Sequence, residues 1–173
     1  MRTLGELAHR LLSLGVPDAI VTSYTKEVFQ MARVVFNNCY GGFGLSKEAC
    51  QRYWDIKGQQ VWIEQDTQFK SSDMFTVWLV PPGERPTKNK DFYSMTMDER
   101  IAYNRAHSEQ TWYYMDVSRH DPALVQVVEE LGKKANGNHA DLQIEEVDGA
   151  YRIDEYDGNE SVMTAGDYNW ITP

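Results

Sequence analysis

Two short stretches of this 173-residue chain carry residue types that could do chemistry. The first is Asn37-Asn38-Cys39-Tyr40-Gly41-Gly42-Phe43-Gly44-Leu45-Ser46. Gly41, Gly42 and Gly44 can take positive φ or let a ligand approach the backbone closely. A strand, a glycine loop and a helix N-terminus in succession can turn several backbone N–H groups toward an anion, and Tyr40 or Phe43 could stack on a base. The spacing matches neither a phosphate loop nor a GxGxxG dinucleotide fingerprint, so it specifies no nucleotide class. The plain alternative is a tight turn whose glycines serve geometry only.

The second stretch is Arg119-His120-Asp121-Pro122. A guanidinium here could grip a phosphate or carboxylate through two parallel N–H bonds. Both stretches run from an apolar strand into a capped helix start. If the two strands are neighbours in one sheet, the corners share the rim where open sheets bind ligands. The expected ligand-binding residues are therefore Tyr40, Gly41, Gly42, Phe43, Gly44, Ser46, Arg119 and His120. The expected partner is a small anionic ligand, with nucleotides the leading class, and no cofactor or metal is expected. A second reading makes Cys39 the nucleophile of a small hydrolase or transferase, with His120 as base and Asp121 orienting it. Asp121 is more simply an N-cap, and a cysteine at a strand end is more often a small buried hydrophobe. His9, His107, His120 and His139 lack metal-ligand spacing, and Asp154 to Glu160 reads as a hairpin turn rather than a calcium loop. A third reading is a non-catalytic interaction module, with the N-terminal helices or the aromatic strands Phe75 to Leu79 and Trp112 to Tyr114 as its contact face.

The elements that must position these residues follow from periodicity and caps. Leu4, Leu7, Ala8, Leu11 and Leu12 recur at helical spacing before Gly15 and Pro17, and a second helical segment is expected from Asp18 to about Gln30. Ala32 to Phe36 suits a strand. Ser46 is a good N-cap with Glu48 in the first turn, and Leu45 and Cys50 stand where a hydrophobic staple forms, giving a helix to about Asp55 to Gly58. Val61 to Ile63 and Met74 to Val80 read as strands joined by a polar loop from Asp66 to Asp73, and Pro81 to Asp91 as a long exposed loop. Thr96-Met97-Asp98-Glu99 is a capping box for a helix to about Glu109, followed by an aromatic strand from Thr111 to Val117. Asp121 and Pro122 start a helix whose stripe is Leu124, Val127, Val128, Leu131 and Ala135, ended by Asn136-Gly137. Ala140 to Val147 alternates as a strand, Asp148-Gly149 predicts a hairpin into Tyr151 to Asp154, Asp157-Gly158 marks a further turn, and Trp170 is expected to fold back as an anchor. The expected fold is α+β, a mixed sheet of about six strands with three core helices, spanning residues 31–173 as one domain behind a helical extension of residues 1–30.

Composition narrows the function classes. A hydrophobic share of 42% is that of a globular domain. No apolar run nears the roughly 20 residues of a membrane span, and the N-terminus lacks signal-peptide order, so the expected location is the cytoplasm with no membrane partner. Cys39 and Cys50 alone exclude a disulfide framework. Of the net charge of −9, the stretch from Asp141 onward holds −8, from nine acids against Arg152. Such a field argues against non-specific nucleic-acid binding by that third of the chain. The N-terminal helices could serve a homo-oligomer contact.

The stretches NNCYGGFGLS (37–46), RHDPALVQVVEELGKKANG (119–137), ADLQIEEV (140–147) and YRIDEYDG (151–158) resemble a family of small uncharacterised proteins of bacteriophages, prophages and some larger viruses. The resemblance covers most of Met31 to Trp170, and the segment from about Asp66 to Tyr93 departs from it. Related members often begin near the position of Met31, which fits residues 1–30 as an extension or an upstream start. The resemblance implies a viral accessory protein acting in a host cytoplasm and carries no established activity. A viral protein that binds an anionic ligand would suit sequestration of a host signalling nucleotide.

Overall fold

The computed structural model describes residues 4–18, 20, 31–66, 74–87 and 91–167. Its helices are α1 (Leu4–Ser13), α2 (Lys47–Lys57), α3 (Met97–Gln110) and α4 (Pro122–Leu131). Its strands are β1 (Met31–Asn37), β2 (Trp62–Gln65), β3 (Phe75–Trp78), β4 (Thr111–Trp112), β5 (Leu142–Asp148), β6 (Tyr151–Tyr156) and β7 (Asn159–Thr164). The chain is α+β as expected, but the strands form three small antiparallel sheets, β1-β5, β2-β3-β4 and β6-β7, instead of one sheet of about six. No helix among the described residues is long and apolar enough to cross a membrane. The expected helix from Asp18 to Gln30 lies outside the described residues apart from Asp18 and Ile20, as does the anchor at Trp170.

Local chemistry sets the helix ends. Ser46 Oγ accepts the Ala49 N–H at the start of α2, and Gly58, at φ 70°, closes it with its N–H on the Asp55 and Trp54 carbonyls. Thr96 and Glu99 form the reciprocal capping box of α3. Asp121 Oδ1 accepts from the Ala123 and Leu124 amides, with Pro122 in the first turn of α4. That helix stops earlier than its apolar stripe suggests. Gly132, at φ 53° and ψ −128°, breaks it after Leu131, and a 3₁₀ turn from Gly132 to Ala135 carries the chain on.

Two features explain the divided sheet. The N–H groups of Val35 and Asn37 on β1 are taken by the Arg119 carbonyl and the Glu160 carboxylate, both at 2.8 Å, so that edge is occupied without another strand. Asp148-Gly149 does not close a hairpin: β6 leaves β5 and pairs with β7. The hairpin turn is Asp157-Gly158, where φ is positive at both residues (52° and 83°), as a two-residue type I′ turn requires. The expected strand from Thr111 to Val117 is likewise cut to two residues by a 3₁₀ turn at Tyr114–Asp116.

The β1-β5 ribbon is therefore a central layer. Val35, Leu142 and Ile144 face the main core with Leu45, Cys50, Leu124 and Val127, while Val34 and Val147 meet Val162 of the β6-β7 hairpin on the other side. Alternation along β1 dictates this division, because successive side chains point to opposite faces. Lys57 Nζ donates to Asp121 Oδ2 at 2.8 Å, fastening the end of α2 to the start of α4.

That contact predicts a pH dependence. Burial works to raise the Asp121 carboxyl, but the Lys57 ammonium and the Ala123 and Leu124 amides outweigh it, so the group titrates below its ordinary value. A carboxyl depressed in the folded state contributes stability that is complete above its unfolded pKa and is lost as pH falls through the folded one. Asp121→Asn is therefore expected to flatten the acid limb of the stability curve below about pH 4. Urea midpoints at stepped pH for both proteins measure this, and parallel acid limbs would contradict it.

Candidate functional site

The glycine loop is positioned by a single buried side chain. Asn37, fully enclosed at the end of β1, donates from Nδ2 to the Cys39 carbonyl at 2.6 Å and to the Gly158 carbonyl at 2.7 Å. Its Oδ1 accepts the Asp141 amide at 2.8 Å. One amide side chain thereby ties together the loop after β1, the turn of the β6-β7 hairpin and the entry to β5. These three segments touch backbone to backbone. A Cβ on Gly41 would lie 1.6 Å from the His139 carbonyl oxygen, and one on Gly158 would lie 2.6 Å from the Gly42 nitrogen. The Gly137 N–H donates to the Gly44 carbonyl at 2.8 Å. Close approach explains these glycines without a ligand.

On its outer side the same loop lines a cleft of about 800 Å³. One wall is Gly41 to Glu48, with Leu45 sunk in the core and Ser46 Oγ donating to the Lys134 carbonyl at 2.6 Å. The lining also includes an aromatic wall built from Phe75, Trp112, Tyr113 and Tyr114, together with Met74, Lys134 and His139. Lys47 stands at the start of α2 with Nζ 5.8 Å from the Phe75 ring centroid. Neither the Lys47 nor the Lys134 ammonium has a carboxylate partner among the described residues, and the Lys47 and Glu48 N–H groups have no intrahelical acceptor. The cleft thus brings two lysines without an ion-pair partner among the described residues, and a helix N-terminus that also carries Glu48, together with a group of aromatic rings.

Gly41, Gly42, Phe43, Gly44 and Ser46 line this cleft, while Tyr40 is exposed outside the lining. Phe43 is buried, and the Arg119 guanidinium carbon lies 3.3 Å from its ring centroid. Arg119 is not a ligand-gripping corner. Its Nη2 donates to Glu160 Oε1 at 2.7 Å, and the two side chains are only 14% and 6% exposed. Burial, opposed by Glu160, lowers the guanidinium below its usual value. β1 and β4 belong to different sheets, so the two corners do not share a rim through neighbouring strands; they meet instead through the Arg119 side chain on Phe43 and the Arg119 carbonyl on β1. His120 faces a separate cavity, where Nδ1 lies 2.7 Å from the Tyr151 hydroxyl.

Cys39, His120 and Asp121 do not assemble as a catalytic set. The Cys39 thiol donates to the His139 carbonyl at 2.9 Å, and Asp121 is occupied by the α4 cap and Lys57. The other thiol, Cys50, is buried, which pushes its pKa up to about 12. Sequence reasoning missed Lys47, Lys134 and the aromatic wall as cleft residues. Their signals were present: a lysine directly after the Ser46 cap, a lysine pair before Asn136-Gly137, and aromatic density at 112–114. Comparison of the chain with family models, with curated proteins and with solved structures finds no match.

Proposed function

We propose that the cleft beside the glycine loop binds a small anionic ligand bearing a planar ring, with nucleotides the leading class. The observation that carries this reading is the presence in one cleft of two lysines, Lys47 and Lys134, that have no ion-pair partner among the described residues, together with the aromatic residues Phe75, Trp112, Tyr113 and Tyr114. An anion would sit by the ammonium groups and the first amides of α2, with a base against the rings. The resemblance to bacteriophage proteins supplies a setting for it, sequestration of a host signalling nucleotide. Exposed Leu12, Leu14 and Ile20 support a second role for the N-terminal segment as an oligomer contact.

Thermal unfolding with a panel of mono-, di- and cyclic nucleotides tests the proposal. A ligand present at about 100 times its Kd should raise the midpoint by roughly 5–10 °C. Lys47→Glu and Lys134→Glu, both at exposed positions, should leave the unliganded midpoint nearly unchanged and cut the shift sharply. No shift with any member of the panel would reject the reading.

A further inference from the structure

We propose that the cavity between β1, α4 and the β5–β6 connection is a second binding site, for an uncharged, mainly apolar molecule carrying one hydroxyl or carbonyl group. This goes beyond the anion cleft and uses none of its residues. The cavity holds about 740 Å³, a volume typical of small-molecule sites. Met31, Ala32, Pro122, Val125 and Ala150 supply its apolar surface. The two charged residues in its lining pair with each other, both Nη atoms of Arg33 donating to the Glu129 carboxylate. The Gln126 amide nitrogen is committed as well, donating to Glu130 Oε1 at 2.7 Å. A charged ligand would have to break the Arg33–Glu129 pair and lose its own hydration, so an ion is disfavoured here.

The His120–Tyr151 pair supplies an uncharged hydrogen-bonding group in the lining. The two rings meet edge to face, 5.7 Å between centroids, with the Tyr151 oxygen 2.7 Å from His120 Nδ1. A phenol oxygen offers one donor and two acceptor sites, and this contact uses one of them. The remainder suits a single hydroxyl or carbonyl on a ligand whose body packs on Val125 and Pro122. The two sites therefore differ in kind, one built for an anion with a ring and one for a neutral molecule.

Methionines report on them separately, since Met31 lines this cavity and Met74 lines the cleft. The protein labelled with methyl-¹³C methionine is titrated with 4-methylphenol, and in parallel with 4-methylbenzoate as its charged counterpart. The expected result is a saturable shift of the Met31 methyl with 4-methylphenol while Met74 stays in place, and binding of 4-methylbenzoate at least about tenfold weaker. Ala150→Trp, at an exposed lining position, should abolish the Met31 response, with the Met74 resonance confirming the native fold. Tyr151→Phe, which removes only the hydroxyl, should weaken 4-methylphenol binding by about five- to tenfold. No saturable Met31 shift up to about 10 mM, an equal response to 4-methylbenzoate, or an unchanged affinity in Tyr151→Phe would overturn the proposal. A failure of the nucleotide panel leaves this outcome unaffected, because that reading is followed at Met74.

Discussion

Glu160→Ala is expected to lower the stability of the protein by about 3–5 kcal/mol, the usual cost of removing one partner of a buried ion pair. For a chain of this length the thermal midpoint should fall by roughly 10 °C. The carboxylate does two jobs at 6% exposure: Oε1 accepts from Arg119 and Oε2 accepts the Asn37 N–H. Its loss strands a guanidinium inside the protein, where Nη1 of Arg119 is already buried without an acceptor among the described residues. It also leaves the Asn37 amide, at the end of a strand with no further partner on that edge, without its acceptor. Glu160→Gln keeps an acceptor for the amide and should cost less. Arg119→Met combined with Glu160→Gln should recover part of the loss, because no uncompensated charge remains and a thioether can still pack on Phe43. Urea and thermal unfolding of Arg119→Met, Glu160→Gln and their combination form a double-mutant cycle. A loss below about 1 kcal/mol in Glu160→Ala would put the pair in the class of weak surface contacts and refute its structural role.

Glu160 also shows where reading the chain alone runs out. It lies among the nine acids of the C-terminal stretch, where an acid is expected to face solvent, yet its partners lie 41 and 123 positions away. Partners at that distance leave no periodic trace. Helix ends behave differently, because Ser46, the Thr96–Glu99 box and Asp121-Pro122 act within a few residues, and each is realised as its chemistry dictates. Turn signals lie between these cases. Asp148-Gly149 and Asp157-Gly158 read alike, but only the second closes a hairpin, since the next strand packs against Val34 and Val147 instead of pairing with β5. The glycine loop was legible as a special turn facing a helix start. The identity of its cleft partners was not, because Lys134 reaches it from the turn after α4 and the aromatic residues from the β2-β3-β4 sheet and the turn after it, through tertiary packing.

Gly41→Ala should have the other large effect, at least about 3 kcal/mol of destabilisation, and its contrast with Gly42→Ala separates the two reasons for a glycine in this loop. A methyl on Gly41 would stand 1.6 Å from the His139 carbonyl oxygen, a backbone atom that cannot rotate aside and that also accepts from the Cys39 thiol. Relief requires parting the loop after β1 from residues 137–139, which breaks the contact on which the β5 entry is seated. Gly42 is the opposite case. It has φ 85° and nothing within 4 Å of the point where a methyl would stand, so alanine there costs only its left-handed backbone, about 1–2 kcal/mol. The Gly42→Ala protein should therefore remain folded at room temperature while carrying an added methyl in the lining of the cleft. Thermal unfolding of the pair measures the difference in stability, and equal losses would show that the Gly41 contact yields easily. Ligand-induced shifts measured on the folded Gly42→Ala protein then ask the remaining question. If the loop glycines serve only packing, the nucleotide response survives; if a ligand approaches the backbone at Gly42, the methyl removes it.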